Sequence, residues 1–250
     1  MKSFLKLITV FFLVISCTDT QNIQQYSIET LMSNNRSSGG YFSKDADKLI
    51  YSSDKSGIFN IYEVDLSTNE ETQLTDSKEE SFFVRGYSPN TGEVIYSADK
   101  GGNENSHIYL IREGNSIDLT PGENTKASYV GWTNDELGMY IISNSRDPRF
   151  FDLYKIDIVT LESEMVFKND SGYNLNSISN NDRYLVLSLN LSRSEQKLFL
   201  YDVKSKQQVE ISNQAANFSG QNFDKNDENY YYTTNYDSEF YYLMSYNLKN

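Results

Sequence analysis

The sequence feature that most constrains the fold is a repeat of about 45 residues. Five segments of the 250-residue chain share one plan: an apolar anchor, a polar turn rich in Asp, Asn and Gly, and a second apolar residue nine positions later. The anchors, which are 45, 45, 46 and 45 residues apart, are Phe42, Tyr87, Trp132, Ile178 and Phe223. The residues nine positions after them are Tyr51, Tyr96, Ile141, Leu187 and Tyr232. A polar turn between two apolar runs predicts a strand–turn–strand hairpin in each segment.

Two further strands complete each unit. The next segment, "FNIYEVD", "SHIYLIR", "FDLYKID" or "QKLFLYD", alternates apolar and polar residues, as a half-buried strand does. Its anchors are Tyr62, Tyr109, Tyr154 and Phe199. A short fourth strand follows as "TQLT", "IDLT", "EMVF" or "VEIS". Four antiparallel strands in each repeat predict an all-β fold, a β-propeller with about five blades, whereas a β-sandwich does not explain so strict a repeat.

The repeat also sets the expected domain boundaries. We expect a signal peptide over residues 1–16 and a lipidated N-terminus with linker and lead-in over residues 17–40. The blades are expected at residues 41–80, 81–125, 126–170, 171–215 and, in part, 216–250. The fifth unit stops after its third strand, so the ring is expected to be incomplete. An open ring leaves unpaired backbone at its ends, which favours association.

The N-terminus has the pattern of an export signal. Lys2 and Lys6 precede an apolar run, residues 7–15, that is too short to span a bilayer. The run ends in "VISC", which resembles a bacterial lipobox, and Cys17 is the only cysteine of the chain. We therefore expect an exported, periplasmic or outer-membrane-associated lipoprotein that contacts the membrane only through its lipid anchor. An ordinary secretory signal with an incidental cysteine is the alternative.

The charge of the chain argues against two classes of partner. The formal net charge is −13 and the isoelectric point is near 4.5, so nucleic acid and anionic lipid would be repelled. The only histidine, His107, stands near Asp99 and Glu104. A lone histidine is poor evidence for zinc, which favours several nitrogen or sulfur ligands. The sequence therefore predicts no metal and no cofactor.

Candidate binding residues fall in loops of the second and third units. His107 occupies the repeat position of Asn60 and Asp152, which favours a structural role for this histidine. In "SRDPRFFD", an arginine could hold a peptide carboxylate through paired hydrogen bonds, or an Asp–Arg pair could order the loop. The candidate substrate-binding residues are therefore Arg146, Asp147, Arg149, Glu104 and His107. Glu79 and Glu80 lie in a linker, where exposed charge is ordinary.

Several segments resemble a known family. "YSIETLM", "SSDKSGIFNIYEVD", "YSADKGGNENSHIYL", "DLTPGE" and "SNSRDPRFFDLYKID" occur in order and resemble the N-terminal propeller of bacterial serine peptidases of the prolyl oligopeptidase family. The acylaminoacyl- and dipeptidyl-peptidase-like branches are the most similar, and the resemblance begins near residue 26. It implies a propeller that caps a C-terminal α/β-hydrolase domain and admits short peptides to it.

The catalytic part of the family pattern is missing from this chain. A nucleophile elbow of the form G-x-S-x-G occurs nowhere, and "GYS" at residues 86–88 is followed by Pro89. No catalytic residue is therefore assigned. The expected function is a non-catalytic, substrate-gating propeller of an exported serine peptidase, reached by peptide substrates through a hydrolase domain.

Two other functions stay open. The first is a stand-alone lipoprotein that binds an envelope protein, similar to the propeller of the Tol system. The second is a propeller hydrolase acting on sugars, although no pair of carboxylates stands out in the repeated loops.

Overall fold

The computed structural model describes residues 25–212 and 214–249, and the predicted signal peptide and Cys17 lie outside them. The chain divides into two compact units between Asn35 and Arg36. The described part of the first unit contains one short helix, α1 (Ile28–Met32). Ser27 caps its N-terminus, because the Ser27 hydroxyl accepts a hydrogen bond from the Thr30 amide. Within the described residues, no helix is long and apolar enough to cross a membrane.

The second unit consists of five antiparallel sheets in chain order. The first sheet is β1 (Ser37–Phe42), β2 (Lys48–Ser53), β3 (Asn60–Asp65) and β4 (Glu71–Gln73). The second is β5 (Phe83–Tyr87), β6 (Val94–Ala98), β7 (His107–Arg112) and β8 (Asn115–Asp118). The third is β9 (Ala127–Trp132), β10 (Gly138–Asp147), β11 (Phe150–Asp157) and β12 (Ser163–Phe167). The fourth is β13 (Asn174–Ile178), β14 (Tyr184–Asn190), β15 (Gln196–Asp202) and β16 (Gln208–Glu210). The fifth is β17 (Phe218–Phe223), β18 (Asn229–Thr234) and β19 (Tyr242–Asn247).

The strands confirm the all-β propeller fold that the repeat predicts. Each predicted anchor is the last residue of the first strand of its sheet, and within each sheet consecutive strands are hydrogen-bonded neighbours. The residues nine positions later pair with the anchors of the third strand, as in Tyr51 with Tyr62 and Tyr96 with Tyr109. The first strand begins at Ser37, four residues ahead of the boundary set by the repeat, because the repeated motif marks only the end of that strand.

The first hairpin of each sheet is closed by the same backbone hydrogen bond. The residue after each anchor is small or acidic, and its amide donates to the carbonyl five residues later, as in Ser43 to Lys48 and Ser179 to Tyr184. The turn needs one residue in the left-handed region of backbone conformation. Asp182 and Asp227 take this conformation in the fourth and fifth sheets, and Asp and Asn tolerate it better than most residues.

Apolar clusters fill the gaps between consecutive sheets. Each of four buried clusters joins two sheets that follow one another along the chain, and none joins the fifth sheet to the first. Eight residues after the anchors, Ile50, Ile95, Tyr140 and Val186 are at most 5 % exposed, whereas the equivalent Tyr231 is 38 % exposed. In the described residues, the array is therefore open at its fifth sheet, as the sequence predicts.

A glycine in the third sheet provides a test of this packing. A Cβ atom at Gly138 would lie 2.7 Å from the Ile156 carbonyl oxygen of the neighbouring strand, so Gly138→Ala forces β10 and β11 apart. We expect it to lower the free energy of unfolding by about 1–3 kcal/mol, the usual cost of overpacking. Gly131→Ala is the control, because a Cβ atom there meets nothing within 4 Å. Equal denaturation midpoints for the two variants would contradict the expectation.

Candidate functional site

The predicted binding residues lie at or beside the connections between second and third strands. Glu104 and His107 belong to the β6–β7 connection of the second sheet, and Arg146, Asp147 and Arg149 to the β10–β11 hairpin of the third. These connections occupy the same position in consecutive repeats, so they lie at the same edge of their sheets. No hydrogen bond or ion pair joins the two groups in the part of the chain that the structure describes.

The histidine is held within its own sheet. His107 is the first residue of β7, and its Nδ1 atom lies 2.7 Å from Asp118 Oδ2 on β8. The ring stacks beside Tyr109 with centroids 6.2 Å apart. Glu104 has a left-handed backbone, and its amide donates to Asp99 Oδ2 over 2.9 Å. These contacts give both residues a part in shaping the loop, and their assignment to a binding site stays a prediction.

The Arg146 side chain is bound to other groups of the protein. Its Nε and Nη2 atoms donate to the two carboxylate oxygens of Asp152 over 2.6 and 2.8 Å, and Nη2 also donates to the Asn169 carbonyl over 3.0 Å. The Asp152 side chain is fully buried, while that of Arg146 is one-quarter exposed. The hydrogen bonds to Asp152 raise the pKa of the Arg146 guanidinium above its ordinary value. The sequence alone did not identify Asp152 as this partner. The available signal was its repeat position, which is polar in three consecutive units: Asn60, His107 and Asp152.

Arg149 has a different environment. Its Nε and Nη2 atoms donate to the Asp147 carboxylate over 3.0 and 2.7 Å, and its amide donates to the same group. The hydrogen bonds from Arg149 hold the pKa of Asp147 below its ordinary range. The Arg149 side chain is 75 % exposed, and its guanidinium lies 5.2 Å from the centre of the Phe150 ring. Of the predicted arginines, Arg149 is therefore the one that presents donors to solvent.

A cleft opens beside Arg149, between the third and fourth sheets. It has a volume of about 260 Å³, and its apolar wall includes Phe151, Phe167 and Leu187. Asn169 holds one side of it, because its Nδ2 atom donates to the carbonyls of Phe151 and Tyr173 and its Oδ1 atom accepts the Tyr173 amide. All the side-chain hydrogen-bonding groups of Asn169 are thus occupied by backbone, which keeps the β12–β13 linker in place.

A second concave surface is formed by the first strands of three sheets. It is mostly apolar, encloses about 340 Å³, and includes Tyr41, Tyr129 and Trp132. Lys44, which lines this surface, forms an ion pair of 2.8 Å with Glu136, so the first hairpins of the first and third sheets are in contact. In the part of the chain that the structure describes, no group of three or more His, Cys, Asp or Glu side chains is placed to hold a metal ion.

Comparisons with known proteins agree with this architecture. Residues 75–250 match the family model of the prolyl oligopeptidase N-terminal β-propeller domain. A dipeptidyl aminopeptidase BIII from Pseudoxanthomonas mexicana is 33 % identical over 103 residues, which are 40 % of this chain and 14 % of that protein.

Solved structures show the same fold at low identity. Prolyl oligopeptidase B from Galerina marginata, bound to a 35-residue substrate, has a TM-score of 0.62 at 12 % identity and covers 85 % of this chain and 32 % of its own. TolB from Acinetobacter baumannii has a TM-score of 0.53 at 18 % identity and covers 84 % of this chain and 52 % of its own. The match with this chain thus covers between 14 % and about half of the length of these proteins. Because the family model matches more than half of its residues, the chain belongs to the family of prolyl oligopeptidase N-terminal β-propeller domains.

Proposed function

We propose that the chain is the non-catalytic, substrate-gating propeller of an exported serine peptidase. The observation that carries this proposal is the family match over residues 75–250, since propellers of this family accompany a serine peptidase domain. The dipeptidyl aminopeptidase relative supports a peptide as the substrate class. The catalytic serine would come from a hydrolase domain of the complete gene product.

The geometry is compatible with a gate. The first strands of the first three sheets line the concave surface, and β1 is exposed along its whole length. A wall of this kind excludes molecules by size, since its backbone is fixed in sheets, and it needs no catalytic group. Its aromatic side chains offer apolar contact to an extended peptide.

A serine-directed probe tests the proposal. We expect the 250-residue chain to remain unlabelled by a fluorophosphonate and inert on dipeptide substrates, and the complete gene product to be labelled at one serine. Stoichiometric labelling of the 250-residue chain would overturn the non-catalytic assignment. An unlabelled complete gene product would instead favour the second candidate, an envelope protein-binding module, which the similarity in fold to TolB supports.

Export and lipidation form a separate part of the proposal. We expect Cys17 to take up metabolically supplied fatty acid and to keep the protein in the membrane fraction, because two or more acyl chains give stable anchoring where one is marginal. Cys17→Ala should release the protein into the periplasm without label. Ser16→Ala, which keeps a small residue before the cysteine, is the matched control and should remain labelled. A soluble, unlabelled wild-type protein would contradict lipidation.

A further inference from the structure

The gap between the first and second sheets contains a pair of aromatic rings, with which the equivalent positions of a later gap can be compared. Phe59 immediately precedes β3, and Phe83 is the first residue of β5 on the next sheet. Their ring centroids are 5.0 Å apart. The Arg36 guanidinium lies 5.2 Å from the centre of the Phe59 ring. In this gap, two aromatic rings and one arginine fill the edge of the interface.

The gap between the third and fourth sheets repeats only half of this arrangement. Asn60 pairs with Ser53 and Asp152 with Ser143, so Phe151 takes the repeat position of Phe59. Phe83 pairs with Ser97, and Asn174 pairs with Ser188. Each of these two serines stands ten residues after the anchor of its own sheet. Asn174 therefore takes the repeat position of Phe83. One ring of the pair is missing from this gap.

The cleft lies where that ring is missing. Phe151 and Asn174 both line it, together with Phe167, Tyr173 and Arg149. Its volume of about 260 Å³ is just under the range of about 300–1,000 Å³ that holds drug-sized ligands, and it suits a single aromatic side chain. The walls are held by hydrogen bonds, as described for Asn169, so the cleft is formed before any ligand enters.

The opening of the cleft is lined by the Arg149 guanidinium, which has N–H groups available to a ligand. Arg149 uses Nε and Nη2 for Asp147, and in the described residues no acceptor is recorded for its Nη1 atom. An arginine that presents free N–H groups at an apolar opening favours a carboxylate on the same ligand as the ring. The net charge of −13 repels anions from the chain as a whole and Asp147 offsets part of the Arg149 charge, so the remaining N–H groups of this arginine are the local feature that favours a carboxylate.

We propose that this cleft binds the C-terminal aromatic residue of a peptide. The aromatic ring lies against Phe151, in the place that Phe83 occupies in the gap between the first and second sheets, and the terminal carboxylate pairs with Arg149. The proposal concerns binding by this chain alone and does not rest on a gating role, so it stands or falls separately from the probe-labelling test.

The experiment compares N-acetyl-phenylalanine with its amide, titrated into the purified chain and followed by NMR. We expect the wild-type chain to bind the acid more tightly than the amide. Asn174→Phe fills the cleft with the missing ring, so it should abolish binding of both compounds and raise the melting temperature. Ser128→Phe is the matched control, because Ser128 holds the same repeat position in the third sheet, pairing with Ile142, and does not line the cleft. It should bind both compounds as the wild type does.

The carboxylate contact is tested by a second pair of variants. Arg149→Gln should weaken binding of the acid by about tenfold, the scale of one charge-assisted contact, and leave binding of the amide unchanged. Arg193→Gln, in the corresponding connection of the fourth sheet, should change neither. The proposal is overturned if the wild type binds neither compound, if Asn174→Phe binds the acid as the wild type does, or if Arg149→Gln keeps the preference for the acid.

Discussion

Arg146→Ala is expected to destabilise the third sheet strongly. The substitution leaves the Asp152 carboxylate, which is fully buried, without its charged partner. An uncompensated buried charge costs about 3–5 kcal/mol, a large part of the total stability of a typical domain. Asp152 would retain the Asn169 amide as a donor, which offsets only part of this loss. Denaturant unfolding followed by tryptophan fluorescence would report it, since the only tryptophan, Trp132, lies in the same sheet.

Two control variants separate the buried charge from other causes. Arg149→Ala removes the neighbouring arginine of the same hairpin, but its pair with Asp147 is exposed, so we expect little change in the unfolding midpoint. Adding Asp152→Asn to Arg146→Ala removes the unpaired charge while keeping the shape of the side chain. This double variant should recover part of the lost stability, and Asn60 is the natural example of an amide at this repeat position. Equal losses for Arg146→Ala and Arg149→Ala would show that the buried pair is not decisive.

The second large effect is expected at the fifth sheet. Leu243 is 65 % exposed, whereas its equivalents Ile61, Ile108, Leu153 and Leu198 are at most 1 % exposed between sheets. Phe240 and Tyr241, 75 % and 53 % exposed, adjoin it and extend the apolar surface. Contiguous apolar surface of this kind, beside the free edge of β19, promotes association. We expect the purified 250-residue chain to form oligomers and Leu243→Lys to make monomer the main species, as measured by light scattering after size exclusion.

The control for this prediction is a lysine at another exposed leucine. Leu137 is 45 % exposed in the β9–β10 connection of the third sheet. Leu137→Lys adds the same charge and should leave the oligomers intact. A monomeric wild-type chain, or oligomers that persist in Leu243→Lys, would show that the fifth sheet is not the contact surface.

The sequence alone predicted the sheets because their pattern is local and repeated. Hairpins such as β1–β2 depend on an apolar anchor, a polar turn and a residue nine positions later, all within one short segment. Strand alternation then decides which side chains face the neighbouring sheet. Period and alternation together are enough to place Phe42, Tyr87 and Trp132 at the ends of first strands.

The binding residues were predicted less completely. The sequence singled out Arg146, Asp147 and Arg149 but left open which arginine pairs with which carboxylate. The register of β10 with β11, which sets Ser143 opposite Asp152, brings Arg146 to the buried carboxylate and leaves Arg149 with Asp147. Pairing across a hairpin depends on register and on a bulge, which sequence spacing does not fix.

The cleft was decided by tertiary structure alone. It exists because Phe151 and Asn174, 23 positions apart and in different sheets, face each other across one gap, where Phe59 and Phe83 fill another. The repeat determines that both positions exist. Whether their side chains fill the space between two sheets depends on volumes that meet only after the sheets pack, because close packing is a property of the assembled interface and not of either strand.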